Sequence, residues 1–578
     1  MTDFTGTILR VDLEKEKTDR FTLDESELRK FIGGTGLGAK ILYDEVPPAT
    51  EWSDPQNRLI FAAGPLNATP IGGSGSVSVV SKGPLTNGAG CSQANGYFGA
   101  YLRLCGLNAI IVQGKAKGLK YLYVDSESEE IRDAEWLVGT DTYKTADLIR
   151  HECGCKKREM TVASIGPAGE NLVKFAGIFF DHGHSASHNG LGAVMGSKNL
   201  KAIAIARGKQ KVRMRDVGKV REIARKLIEN VKEQSRAIYE YGTLGSIHAN
   251  AEKNMIPVKN YTTSKWEIDE EKWEKFTGPY IREKFAVRRN ACWACQINHC
   301  YMMRITVGPY AGEELEEPEY EQFVAWSSAI GQDDVTAAMM LSKEVDRLGL
   351  ETNEASWTVG FAMECYEKGV LSKEKANGLE LKWGNVEAAR LLLNLIARRQ
   401  GIGDLLAEGV MRAAKRIGGD APSYAIHTMK GNTPRGHDHR NRWTELFDTC
   451  VSNTGTLETW GGPIAIGQTP DWGEIVKANI HDKGAMMLED SMVTCRFNTR
   501  MNVELLCQAV SAVTGWDFSY EEGMEVGRRI VHLLRAFNVR HGVSGRELDR
   551  PSPRYGSKPD AGPGKGKSLP NRPISRAS

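Results

Sequence analysis

The sequence predicts an α+β multidomain protein, with a glycine-rich, mainly β N-terminal domain followed by two largely helical domains. Three observations predict it. Short runs of β character separated by glycine clusters fill residues 1–209. Helical periodicity sets in after Lys209 and lasts to Met429. The length, 578 residues, exceeds one core at ~100–200 residues per domain.

The β runs are Ile8–Leu13, Arg58–Gly64, Ser76–Ser81, Ala109–Gly114, Tyr121–Val124, Met160–Gly166, Phe175–Phe180 and Ala202–Arg207. Few convincing helices separate them, Asp24–Phe31 being one, so a regular βαβ repeat is not expected. Gly33–Gly38 lacks the glycine spacing of a dinucleotide fingerprint and follows a helix-like run. In Gly192–Lys198 the glycines are one residue too close for a phosphate loop, and the lysine follows the serine. Both nucleotide readings fail. Such clusters serve β-turns, and they also turn backbone N–H groups toward an anion.

Residues 210–429 form the second domain. Val220, Ile223, Ala224, Leu227, Ile228 and Val231 make one apolar helix face, with Asp216 as cap and an end near Gly242. Further helices are expected at Glu321–Ile330, Asp334–Leu348, Ala355–Lys368, Val386–Arg399 and Leu405–Ile417. Asn385 and Asp404 stand at N-cap positions, and Gly349, Gly369, Gly401 and Gly418 at C-terminal ends. Residues 430–550 form a mixed third domain closed by a helix at Tyr520–Phe537. The Pro-, Gly- and Ser-rich stretch 551–578 is expected to be disordered.

Composition narrows the function. Hydrophobic residues at 41% and charged residues at 26% suit a soluble globular protein, and a net charge of +2 argues against bulk binding to nucleic acid or membrane. The opening Met1-Thr-Asp-Phe-Thr5 is no signal peptide, and no apolar run approaches the ~20 residues of a membrane span. An odd count of eleven cysteines points to a reducing compartment, so the cytoplasm is the expected location.

The chemistry concentrates at Ala291–Cys300, where Cys292, Cys295 and Cys300 follow the spacing C-x2-C-x4-C. Clustered thiolates favour soft centres, and a fourth ligand has to come from elsewhere; Cys495 is the best candidate. A [4Fe–4S] cluster and a structural zinc site, the latter with help from His299, both fit this spacing.

Other segments break the tie. Asp346-Arg-Leu-Gly-Leu-Glu351 and Asp490-Ser-Met-Val-Thr-Cys495 are two copies of one motif, the second degenerate and ending in the proposed ligand. With Phe31–Gly38, Pro318-Glu-Tyr-Glu321, Lys430-Gly431 and Gly190–Ile203, they resemble the aldehyde:ferredoxin oxidoreductase family of tungsten–bispterin enzymes over residues 5–545.

The resemblance implies two molybdopterin-type pterins holding one tungsten or molybdenum, Mg2+ bridging their phosphates, and a [4Fe–4S] cluster on Cys292, Cys295, Cys300 and Cys495. Asp346 and Asp490 would hydrogen-bond the pterins, with Gly349, Leu350, Glu351 and Thr494 in the same motifs. Ser76, Gln93, Asn95, Gly96, His188, Asn189, Gly190 and Gly192 would line the phosphate side, making residues 1–209 the cofactor domain. The chain departs from the family pattern in several places. The second cysteine gap has four residues, not three. Glu351 replaces aspartate, Val493-Thr494 replaces Gly-Leu, and Ser76 and His188 stand where arginines are usual.

Near the substrate, Glu458 occupies a place that usually holds histidine, and His437 and His439 are the candidates to take over its proton exchange. Glu319 and Glu321 are the candidate carboxylates, while Cys450 reads as a small core residue. The expected activity is interconversion of an aldehyde and a carboxylic acid, with ferredoxin or an iron–sulfur subunit as electron partner and a homodimer among the open assemblies. The alternatives are the catalytic subunit of a tungsten-dependent aromatic acyl-CoA (benzoyl-CoA-type) reductase and, from another class, a non-catalytic zinc-bound scaffold.

Overall fold

The computed structural model describes residues 4–459, 472–499 and 502–568. It has mixed sheets in its N-terminal part and a largely helical remainder, the architecture expected. One six-stranded sheet runs in the order Lys17–Thr22, Thr7–Asp12, Ala109–Gln113, Leu59–Ala62, Val77–Lys82, Ala89–Ala94. A second runs His184–Ala186, Ile178–Phe180, Met160–Ser164, Leu200–Ala206, Lys120–Val124, Glu129–Asp133. Each has a single parallel pairing, Thr7–Asp12 with Ala109–Gln113 and Leu200–Ala206 with Lys120–Val124.

Side-chain alternation explains how the sheets stack. Leu9, Leu59, Phe61, Val77, Val79, Ile110 and Val112 of the first sheet share one core with Leu122, Ala163, Ile178, Phe180, Ile203 and Ile205 of the second. The opposite face of the first sheet, with Ile8, Ile60, Val80 and Ile111, packs on Gly34–Glu45 and on the C-terminal helices Val503–Thr514 and Tyr520–Arg540. Central strands are thus buried on both faces, which is why they read as continuous apolar runs. The strands absent from the sequence reading (Lys17–Thr22, Ala89–Ala94, Glu129–Asp133 and His184–Ala186) are the four sheet edges, where no such run is needed.

The expectation of few helices in this region is corrected. Helices Gly34–Glu45, Phe98–Leu104, Thr142–Glu152 and Leu191–Ser197 lie between the strands. Gly33–Gly38 is not turn chemistry: it opens a helix pressed against Ala485–Met492. A Cβ on Gly34 would lie 2.3 Å from the Asp490 carbonyl oxygen.

Farther on, Asp216 caps Val217–Gln234 and Asn385 caps Val386–Ala397 as expected. Leu405–Ile417 divides into Ile402–Leu406 and Val410–Ile417, with Asp404 inside the first and not at its cap. The closing helix extends to Arg540. A three-stranded sheet, Ala286–Arg289, Tyr301–Arg304 and Glu314–Glu316, was not anticipated. Among the described residues no helix is long and apolar enough to cross a membrane.

The expected disorder from Pro551 onward is also corrected for residues 551–568. Pro551 bridges to Thr428, and Tyr555 is fully buried with Tyr261, Trp357, Ile426, Leu446 and Cys450. One aromatic anchor outweighs a poor average composition. Tyr555→Ala is therefore expected to destabilise this region by about 3–5 kcal/mol, read as a lowered denaturant midpoint. An unchanged midpoint would mean that the segment is dispensable.

Candidate functional site

Residues 290–300 join the strands Ala286–Arg289 and Tyr301–Arg304, and Asn290 N–H to Cys300 C=O, 2.9 Å, closes the loop. Trp293 N–H donates to Gly96 C=O at 3.0 Å, tying the loop to the end of the first sheet. Cys495 arrives from the other side, three residues past the end of Ala485–Met492. All four cysteines, Cys292, Cys295, Cys300 and Cys495, line one enclosed cavity together with Asn95, His184, His299, Glu319 and Asn498.

The chemistry of this donor set fits a cationic soft centre. Burial, and then the neighbouring acidic groups and thiols, push the Cys292 and Cys300 thiols well above 9, and burial raises Cys495 to about 11. Four adjacent thiolates are untenable there unless a metal or cluster supplies the compensating charge. Polar groups surround the sulfurs: His184 Nε2 is 3.3 Å from Cys292 Sγ, Asn298 N–H donates to Cys295 Sγ at 3.2 Å, and Asn498 Nδ2 lies 3.5 Å from Cys295 Sγ. The sequence reading missed His184 and Asn498, which stand at no recognisable spacing from the cysteines. Glu319, one of the two candidate carboxylates, lines this cavity and caps Tyr320–Ala325. Its carboxylate, His299 and the Cys300 sulfur lie within 4.8 Å of one another, so a zinc-type set also has its donors in place.

Gly73 sets how closely Cys495 approaches the sheet. It has φ +73°, and a Cβ there would lie 2.2 Å from Cys495 Cβ. Gly73→Ala is expected to displace Cys495 and lower bound iron to below about half of wild type, with the remaining fold retained. Full iron loading in that variant would show that the backbone can give way.

The two motif copies are conformationally alike. Gly349 ends Val335–Leu348 with φ 78°, and Val493 ends Ala485–Met492 in the same left-handed region, φ 59°. The valine thus accepts a conformation that glycine adopts freely, so the degenerate copy keeps the bend of the intact one. Asp346, nearly buried and raised well above its ordinary value by burial, accepts from Gln322 Nε2 at 3.0 Å. Asp490 pairs with Arg496 at 2.7 Å. Leu350 bridges to Ala176. Glu351 uses both carboxylate oxygens to cap Thr352–Glu367, so its observed partners are backbone N–H groups.

Gln93 Nε2 on the proposed phosphate side and Thr494 Oγ1 in the second motif are buried without a hydrogen-bond partner, as suits a ligand bringing its own polar groups. Ser76 Oγ is bonded to Asn95 Oδ1 (2.9 Å) and Gly73 C=O, while Asn95 faces the cysteine cavity. His188 is half-buried, its N–H donating to Ser92 Oγ at 3.3 Å. Asn189 spends its amide on Thr86 and Ala89. Gly190 and Gly192 lie against the backbone of Lys174 and Gly177, so packing accounts for them.

The candidate proton groups fall into two separate knots. His437 Nδ1 lies 3.1 Å from Tyr320 Oη and 3.0 Å from Arg442; His439 Nδ1 lies 2.6 Å from Tyr555 Oη, with Nε2 3.2 Å from Glu445. Glu445, which the sequence reading missed, also pairs with Arg435 (3.2 Å) and Arg442. Burial pushes both histidines below their ordinary value. Glu321 sits near this knot, accepting from Asn353 Nδ2 at 3.1 Å and lying 3.9 Å from Arg435. Glu458 lies in the other knot. It accepts from Asn453 N–H and Nδ2, both 2.8 Å, and pairs with Lys483 at 2.6 Å. Burial alone would lower Lys483, but Glu458 and Asp448 hold it at about 12.

Four cysteines convergent on one cavity, the last of them just beyond a helix end whose left-handed bend matches that of Val335–Leu348, define the class: a metal-binding protein. The chain belongs to the aldehyde ferredoxin oxidoreductase family, and it is an oxidoreductase of that type. The model of that family's N-terminal domain matches residues 8–207, and the model of domains 2 and 3 matches residues 219–577. The tungsten-containing aldehyde ferredoxin oxidoreductase of Pyrococcus furiosus is 34% identical, over 98% of this chain and 93% of its own. An aliphatic sulfonate oxidoreductase, WOR-like subunit, from the same organism is also 34% identical, over 98% and 92%. Among solved structures, the active site complex BamBC of benzoyl coenzyme A reductase superposes with a TM-score of 0.81 at 25% identity, covering 95% of this chain and 91% of that one.

Proposed function

We propose that this protein interconverts an aldehyde and the corresponding carboxylic acid at a tungsten–bispterin centre, with a [4Fe–4S] cluster passing electrons to a ferredoxin. The observation that carries this reading is the convergence of Cys495 with Cys292, Cys295 and Cys300 on one cavity, directly after a bend shared with the other motif. Cys292, Cys295, Cys300 and Cys495 would hold the cluster; Asp346, Asp490, Gln93 and Thr494 would meet the pterins. When bound, the metal centre supplies two-electron oxidation of a carbonyl carbon, and the cluster supplies single-electron steps.

In the oxidative direction water provides the added oxygen, and two electrons and two protons leave. The chain has to accept those protons. His437 is the candidate relay and not the store: its imidazole is held neutral by burial, and its hydrogen bond to Tyr320, on a helix that also carries Glu321, gives a proton somewhere to go. Glu458 is held in its ion pair with Lys483, which leaves it no free role in proton exchange.

Anaerobically prepared protein tests this with metal analysis and dye-linked turnover. Tungsten, about four irons and aldehyde oxidation are expected. Reduction of benzoyl-CoA without aldehyde turnover would favour the aromatic reductase that the BamBC likeness suggests. About one zinc and no iron would leave a scaffold.

A further inference from the structure

We infer that the groove over the cysteine loop is the docking surface for a small acidic iron–sulfur electron carrier, a step that rests on the redox reading above. The groove has a volume of about 510 Å3 and is lined by Tyr97, Tyr101, Arg158, Arg207, Met214, Trp293 and Cys292. Cys292, a candidate cluster ligand, thus lines both this groove and the cysteine cavity. An electron carrier needs that proximity; a partner without redox function does not.

The lining is built as an anchor. Trp293, between two cysteines in sequence, packs edge-on against Tyr97 at 6.4 Å and Tyr101 at 6.3 Å. The Arg207 guanidinium lies 5.5 Å from the Trp293 ring centre, and that of Arg158 lies 4.8 Å from Tyr97. Tyrosine, tryptophan and arginine are the residue types that carry most binding energy at interfaces, because rigid rings lose little entropy and guanidinium groups hydrogen-bond carboxylates in pairs. Both arginines are exposed, and neither has a carboxylate partner among the described residues. Their charge is therefore available to an incoming molecule.

The surroundings repeat the sign. Arg207, Lys209, Lys211, Arg213 and Arg215 alternate along the strand's exit, and Lys156 and Lys157 precede Arg158. Glu159 and Glu127, the latter 3.4 Å from Lys209, offset part of this charge. On a chain with a net charge of only +2, the two arginines of the groove, with these basic neighbours in sequence, give it a positive sign that steers an acidic partner. Nucleic acid would be drawn by the same charge, but nothing in its binding would call for Cys292 in the groove lining.

The test uses the full anaerobically purified chain and a small acidic [4Fe–4S] ferredoxin as probe. Binding is measured by calorimetry at several salt concentrations, alongside ferredoxin-linked and viologen-linked turnover. Arg158→Glu and Arg207→Glu are each expected to weaken ferredoxin binding at least about 10-fold and flatten its salt dependence, with viologen-linked turnover within about 2-fold of wild type. Arg207→Lys should retain most of the binding, which guards against a folding artefact. Unchanged ferredoxin affinity in both reversals overturns the proposal, as does wild-type protein that binds short duplex DNA but not ferredoxin. Absence of viologen-linked turnover in wild type would count against the redox reading instead, while the binding data would still decide the docking surface.

Discussion

Replacing Cys495 with alanine is expected to leave the chain folded but to lower bound iron from about four per chain to below about one, and viologen-linked turnover by at least about 100-fold. The expectation follows from where the residue sits. Three of the four sulfurs belong to one hairpin loop, so Cys495 is the one sulfur that the C-terminal segment brings to the centre. The surrounding fold does not depend on the sulfur. Helix Ala485–Met492 is held by its own packing against Gly34–Glu45 and Tyr520–Arg540, and the alanine would keep the backbone path. Iron retained at wild-type level would assign the fourth position to another donor, with His299, 3.7 Å from Cys300 Sγ, the first to examine.

The second large effect is expected at Glu445. Its side chain is almost wholly buried and faces Arg435, Arg442 and His439. Burial alone would raise this carboxyl, but Arg442 and then Arg435 hold it well below the usual carboxylate range. Glu445→Gln leaves Arg442 without its counter-charge and Arg435 with only Glu321, 3.9 Å away, a change worth about 3–5 kcal/mol when a buried pair is broken from one side.

The pH dependence follows from the direction of that shift. A depressed native pKa contributes stability that is fully present above the unfolded value, near 4.5, and is lost as pH falls through the lower native value. The gap in denaturant midpoint between wild type and Glu445→Gln should therefore be the same at pH 7.5 and pH 5.5. A gap that closes over that interval would place the titrating charge elsewhere. His437 and His439 act in the wild type over a different range. Both are held below 6.5, so the unfolded chain takes up protons that the native chain refuses, and wild-type stability falls as pH drops below about 6.5.

Some of this was legible before any coordinates. Central strands announced themselves because burial on both faces demands unbroken apolar runs, as in Ala109–Gln113. Asp216 and Asn385 were readable as caps because the capping bond is made within three residues. Edge strands such as Glu129–Asp133 carried no such mark. Gly33–Gly38 was misleading because small residues serve helix packing as well as turns, and sequence spacing does not distinguish the two. Tyr555 shows the same limit from the other side: its burial depends on Tyr261 and Trp357, hundreds of residues away in the chain.

The family membership, the α+β architecture and the three clustered cysteines were determined by the sequence itself, since each rests on residue types at short, countable intervals. Tertiary structure alone decided that Cys495 meets the other three, that Glu319 faces the cysteine cavity, and that Glu458 is tied to Lys483 while His439 has Glu445 as its partner. Those outcomes depend on contacts between distant segments, fixed by how two sheets and the returning C-terminal helices bury their apolar faces, and no local spacing records them.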